Sequence, residues 1–325
     1  MKLIKPSFEI IEQAPGIQGV KKQIELAGRT CYKSEDKITD TSCEEFVNRM
    51  VNSGHGAMLE HGTVYLYVEF GSPVDDNRYF TGVDTFTKYN ENKYSKVHNE
   101  IINNYLHKIY ITTNYRVLVE NGWLDDLQYQ CEPTEHHEKR ITVKFICDRG
   151  VSHEFVRHRV FSFAQESTRY CNYCKNKFHD GLVFIIPEWA QYIDEGEAYV
   201  ADVGCIRTGA CKDTSIFGTR SWTKPLKDDD PAEWHAEMVF LDFLERVNRA
   251  YKKLILETKK LTAQQARAIL PNALKTELIM TGFLSDWEHF FKLRCHSTAH
   301  PDARALAIPL KETFIERGYL NGESV

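Results

Sequence analysis

At 325 residues the chain is long for a minimal domain and short for three, so one large domain spanning 1–325 is expected. Hydrophobic residues make up 42%, aromatic residues 12% and charged residues 27%, which excludes a disordered or fibrous protein. Forty-one Lys and Arg against 46 Asp and Glu leave a net charge of −5, so no global positive field exists to hold nucleic acid.

The opening MKLIKPSFEIIEQAPG has no apolar core of signal-peptide length before its Pro and Gly. No later window reaches about 18 uncharged apolar residues, and a cytoplasmic protein without a membrane span is expected. Ser42 and Glu45 form a candidate capping box for a helix whose apolar stripe is Phe46, Val47, Met50 and Val51, with Gly54 as its stop. TVYLYVEF (63–70) alternates with period two and reads as a strand. Residues 71–140, rich in Asn, Asp, Tyr and Lys, read as an inserted subdomain, because they carry too many large apolar residues to stay unfolded. Inside it, YSKVHNEIINNYLHKI is assigned to a helix, and YITTNYRVLVENGW to strand ending in a turn at Asn121-Gly122. ITVKFIC resumes as a strand with Ile141, Val143, Phe145 and Cys147 on one face.

A second irregular insertion covers 187–231 and contains the acidic run Asp228-Asp229-Asp230. The stretch from Ala232 onward is a long amphipathic helix with Met238, Leu241, Leu244, Val247, Tyr251 and Leu254 on its stripe, which suits core packing. Thr262 with Gln265, and Ser285 with Glu288, are two further capping boxes, and Pro301 suits the first turn of a last helix. The architecture expected is α+β: a twisted mixed or antiparallel sheet packed by long helices and decorated by two insertions.

Nine scattered cysteines, an odd number, argue for reduced thiols. Cys171 and Cys174 are the one tight pair; Cys205 and Cys211 are spaced differently and His179 stands alone, so no metal site is expected.

The densest signal is SHEFVRHRVFSFAQESTRY, residues 152–170. Arg157, His158, Arg159 and Arg169 are interleaved with Phe155, Val156, Val160, Phe161 and Phe163, so a packed element presents the basic groups. Guanidinium groups presented that way bind phosphate or a delocalised anion through paired bonds. A zinc-protease reading of His153, Glu154 and His158 fails on spacing. The second His lies five positions on, roughly 140° around a helix from the first.

Arg157-His158-Arg159, seven intervening residues and Ser167 strongly resemble the signature of the flavin-dependent thymidylate synthases, and Arg169-Tyr170 extends it. AGRTCY (27–32), GHGAMLEH (54–61), ARAILP (266–271) and DWEHFFKLR (286–294) resemble the family's other segments in order and spacing. The resemblance implies reductive methylation of dUMP to dTMP, with carbon from methylenetetrahydrofolate and hydride from NADPH through FAD. It also implies a homotetramer with sites shared between subunits. By position in the family pattern Arg294 is the catalytic cation, favouring the N3-ionised uracil whose C5 attacks, and no enzyme nucleophile is required. Glu154, Arg157, Gln165, Glu166, Ser167, Thr168, Arg169, Arg267 and Arg294 fall at dUMP positions. His55, Ala57, Arg157, His158, Arg159, Gln165, His289 and His300 fall at FAD positions. Departures from the pattern occur at Cys31, Ala57, Glu154, Phe283 and Ser285. The residues alone also admit a nucleotide- or nucleic-acid-binding module that keeps the Arg pocket without chemistry, and a zinc-binding Cys protein.

Overall fold

A computed structural model describes residues 1–71, 78–103, 106–175, 181–191, 193–197, 231–258 and 261–321. Cys205, Cys211, His179 and the run Asp228–Asp230 lie outside them, as do most of residues 187–231, where a second insertion is expected. In chain order the elements are β1 Lys2–Ile4, β2 Ser7–Ile11, α1 Gly16–Tyr32, α2 Ser42–Asn52, α3 Gly56–Leu59, β3 Thr63–Phe70 and α4 Arg78–Asn90. There follow β4 Lys96–Ile102, β5 Leu106–Asn114, α5 Tyr115–Asn121, β6 Arg140–Asp148, α6 Arg149–Phe155, β7 Ser162–Gln165, β8 Val183–Ile185 and β9 Gly196–Glu197. The chain closes with α7 Pro231–Leu256, α8 Ala263–Ala266, β10 Lys275–Phe283, α9 Leu284–Arg294 and α10 Pro301–Glu316.

The fold is α+β, but among the described residues the strands form three sheets where one was expected. The central sheet has the order β2-β6-β10-β7 and is antiparallel throughout. A second antiparallel sheet has the order β3-β5-β4. The third, β8-β1-β9, is mixed, with β1 parallel to β8.

Alternation in β6 and β10 gives the central sheet two different buried faces. Val143, Phe145, Cys147, Leu278 and Met280 pack with α6, α9 and α10 around Phe155, Trp287, Phe290, Phe291 and Phe314. The opposite face, against α1 and α3, carries Ile279 with Ala27 and Ala164, and also the polar residues Arg140, Thr142, Lys144, Lys275, Glu277 and Thr281. Helix α1 meets α2 closely at Gly28, where an added Cβ would lie 2.4 Å from the ring of Phe46. The long helix α7 packs Leu244 and Tyr251 against Leu3 and Phe184 of the mixed sheet.

Three local expectations are corrected. The 94–109 segment is β4 and the start of β5, not a helix: Val97, Ile101, Ile109 and Ile111 favour the pleat, and Asn103 takes a left-handed φ of 53° at the reversal. The strand does not continue to Asn121, because the Asn114 side chain accepts the Val117 N–H at 3.2 Å and caps α5, which Gly122 then ends at φ 70°. Two of the capping boxes take other partners. Ser42 Oγ donates to Glu25 at 2.8 Å, and at the start of α9 it is Asp286 that accepts the Phe283 N–H at 3.1 Å. The Thr262–Gln265 box forms as expected, and Pro301 opens α10.

Candidate active site

Helix α9 explains how Arg294 is aimed. Trp287, Phe290 and Phe291 are fully buried, and Arg294 falls one turn further along the same stripe. Its side chain is therefore delivered to the core edge, only 15% exposed, facing the end of α6. There it pairs with the Glu154 carboxylate. Its Nη2 also donates to the Glu154 carbonyl oxygen at 2.7 Å, and its Nε donates to His158 Nε2 at 2.9 Å. Because His158 Nε2 accepts, the ring is neutral. Burial first, then the neighbouring Arg294 and His289, hold its pKa down at about 4.

That depression contributes to the pH dependence of stability. In the unfolded chain His158 titrates near 6.5, so on acidification the unfolded state takes up its proton first. The stability it contributes is complete above about pH 6.5 and is lost as pH falls from there through 4. His61, fully buried and 2.8 Å from Thr281 Oγ1, adds the same sign, its pKa lowered to about 3 by burial and by Arg140. The melting temperature should accordingly be level from pH 8 to 7 and fall steadily below 6.5. A flat or rising profile over that range would contradict this assignment.

Glu154, Arg157 and His300 line one cavity of about 460 Å³, together with Trp189, Phe240 and Asn272. Arg157 and Arg159 are exposed, and among the described residues neither has an ion-pair partner. His289, exposed on α9, stands 6.4 Å from the His158 ring. His300 caps α10, accepting the Asp302 N–H at 3.3 Å.

The remaining candidates gather elsewhere on the chain. Ser167 is fixed by its N–H to Cys31 O at 2.9 Å, and its Oγ accepts the Arg169 N–H at 3.3 Å. No His or carboxylate contacts Ser167 Oγ among the described residues, so nothing there activates it as a nucleophile. Thr168 is buried. Arg169 is exposed and donates to Gln264 at 3.3 Å, which places it beside α8 and the exposed Arg267 that follows. Tyr170 contacts Tyr32 at 5.1 Å, and Tyr32 borders a cleft with Arg29, Arg49 and His55. Ala57 is exposed on α3. Gln165 stands between the two groups, its amide donating to Ser152 of α6 at 2.8 Å and to Thr276 of β10 at 3.3 Å.

Within one chain, then, Arg157 and Arg294 belong to one group, and Arg169 and Arg267 to another. The donor set suits an anionic planar group such as a flavin: Arg157 and Arg159, exposed and without ion-pair partners among the described residues, flank the neutral His158 in sequence, and the exposed His289 stands 6.4 Å from its ring. Among the described residues no cluster of three or more His, Cys, Asp or Glu could hold a metal ion. The sequence reading missed Lys275, Tyr173 and Glu277, the partners of Glu166. Lys275 and Glu277 alternate on one face of β10, and that alternation is the signal that could have found them.

The family model for the thymidylate synthase complementing protein matches residues 121–317, more than half of the chain. The chain belongs to that family. A flavin-dependent thymidylate synthase from Corynebacterium diphtheriae is 26% identical over 196 residues, which cover 56% of this chain and 59% of that protein. One from Corynebacterium efficiens is 30% identical over 179 residues, covering 55% and 58%. The chain thus spans less than two thirds of the length of these curated relatives. Among solved structures, a UMP/dUMP methylase from Streptomyces cacaoi bound with 5-Br dUMP aligns over 97% of this chain and 93% of that one, at 15% identity. Its TM-score is 0.40.

Proposed function

We propose that this chain converts dUMP to dTMP, taking carbon from methylenetetrahydrofolate and reducing equivalents from NADPH, with FAD as cofactor. The observation that carries the reading is Arg294, a guanidinium delivered by the core stripe of α9 to a half-buried site beside Arg157, with a neutral His158 on its Nε. Uracil C5 is a poor nucleophile until the ring loses its N3 proton. A cation in contact with N3 lowers that pKa by about 1–3. Glu154 occupies Arg294 in this conformation, so the pyrimidine must exchange with the Glu154 carboxylate for the guanidinium. His158, neutral and accepting, keeps the Arg294 fork oriented while that exchange occurs. Arg169, Arg267 and the Ser167–Arg169 backbone hold the nucleotide phosphate. Arg157, His158, Arg159 and His289, with His55 from another copy, would hold FAD, which would supply hydride transfer from NADPH.

The two groups of arginines lead us to place the complete site between copies of the chain in a homotetramer, one copy giving Arg294 and another Arg169. A cytoplasmic location is part of the reading; among the described residues no helix is long and apolar enough to cross a membrane. To test the activity, purified protein is supplied with FAD and assayed for flavin uptake and for NADPH oxidation that depends on dUMP. The reading predicts both. Absence of both rejects it, and dUMP binding without NADPH oxidation would favour a binding module.

A further inference from the structure

Glu166 stands in the substrate motif, yet its side chain turns inward. Its carboxylate is 1% exposed, and both oxygens are engaged inside the protein: Oε1 accepts from Tyr173 OH at 2.9 Å and Oε2 pairs with Lys275 Nζ at 2.8 Å. Lys275 pairs in turn with Glu277 at 2.5 Å, and Glu277 with Lys33 at 2.8 Å and Lys144 at 2.7 Å. Lys33 also reaches Glu35 at 2.8 Å. Three lysines thus face three carboxylates on the polar face of the central sheet. Burial works against ionisation of Glu277, but Lys275, Lys33 and Lys144 outweigh it and hold its carboxyl well below the usual carboxylate range. The backbone runs parallel to this chain of charges, with Glu166 N–H donating to Glu277 O at 2.8 Å and Ser167 N–H to Cys31 O at 2.9 Å.

Buried ion pairs add little net stability against an apolar replacement, but they fix geometry, because breaking one leaves a charge without a partner. The geometry that this network fixes is the start of the Ser167–Arg169 turn. We infer that Glu166 is a positioning residue, not a ligand contact: through Lys275 and Glu277 it ties the nucleotide-receiving turn to β10 and to the end of α1, setting the orientation of Ser167 and Arg169 toward a phosphate. This rests on the proposed function for its kinetic arm only.

The test compares Lys275→Met, Glu166→Gln, their double variant and Lys275→Arg with wild type in the full-length, FAD-loaded protein. The readouts are dUMP affinity, KM against kcat, and hydrogen exchange at the amides of 166–170. Lys275→Met is expected to raise KM for dUMP on the order of ten- to a hundredfold with kcat little changed, as a misplaced binding group does. Exchange at 166–170 should quicken, the double variant should be no worse than the poorer single one, and Lys275→Arg should restore most of the affinity. Should Lys275→Met fail to fold, Glu166→Gln, which keeps its volume and the Tyr173 bond, carries the test. A lowered melting temperature with unchanged dUMP KM and unchanged exchange at 166–170 would overturn the inference. If wild type binds no dUMP, the proposed function fails, while the exchange comparison still decides whether the network orders the turn.

Discussion

Replacing Arg294 with Ala will reduce dTMP formation by at least about a hundred- to a thousandfold, the loss that follows removal of one preorganised donor aimed at developing charge, and will leave a folded protein that still takes up FAD. The residue lies at the last turn of α9, beyond Trp287, Phe290 and Phe291, so truncating it removes no core packing. What remains is Glu154 without its partner, 29% exposed and able to draw on water, and His158 without the donor on Nε2. On the proposed function, the fold therefore survives while N3 loses its cation. Arg294→Lys should recover only part of the activity, because an ammonium cannot serve His158 and Glu154 together through one planar fork. Unchanged dTMP formation by Arg294→Ala would show that the cation which activates the ring is another one.

The largest stability effect is expected at Trp287. It is fully buried, its ring centroid is 4.7 Å from Phe161, 5.3 Å from Phe290 and 5.4 Å from Phe314, and its Nε1 donates to Ile141 O at 3.1 Å. Trp287→Ala would empty the centre of the cluster that joins α9 and α10 to β6 and leave that carbonyl without its donor. Large-to-small core changes of this kind cost about 3–5 kcal/mol, a large share of the roughly 5–15 kcal/mol that holds a protein folded. In a thermal melt followed by circular dichroism the midpoint should fall on the order of 10 °C. Trp287→Phe should recover much of the packing but not the hydrogen bond. A midpoint within about 1 °C of wild type for the Ala variant would refute the role given to this cluster. Arg294 depends on that cluster for its direction, so the same variant should also lose activity below its melting point.

Periodicity made much of this fold legible. The alternations of 63–70 and 141–147 and the stripe of α7 each correspond to an element, because one buried face imposes one period. The segment 94–109 misleads because Val97, Ile101, Leu106 and Ile109 can be fitted to a helical period over a short window. The signals that decide are local ones, the β-branched and aromatic run 109–113 and the reversal at Asn103. The division into three sheets depends on which strands pair, and alternation within a strand does not specify its partner. At the site, the sequence offers candidate residues but not their contacts. That Arg294 meets Glu154 and His158 follows from the packing of α9 on α6, and that Glu166 points inward follows from Lys275 lying on β10 beside it. Both depend on residues more than 100 positions apart, joined by the central sheet.

On the proposed function, Arg294 of one copy meets the pyrimidine ring of a nucleotide whose phosphate Arg169 and Arg267 of another copy hold, and ionisation at N3 makes C5 nucleophilic. The measurement that reaches it directly is release of tritium from dUMP labelled at C5, in the presence of methylenetetrahydrofolate, NADPH and FAD. Bond formation at C5 requires loss of that hydrogen, so tritium release should equal dTMP formed, should vanish without FAD and should fall with dTMP formation in Arg294→Ala. Tritium retained in dUMP by the FAD-loaded wild-type protein, with no dTMP produced, would contradict the account.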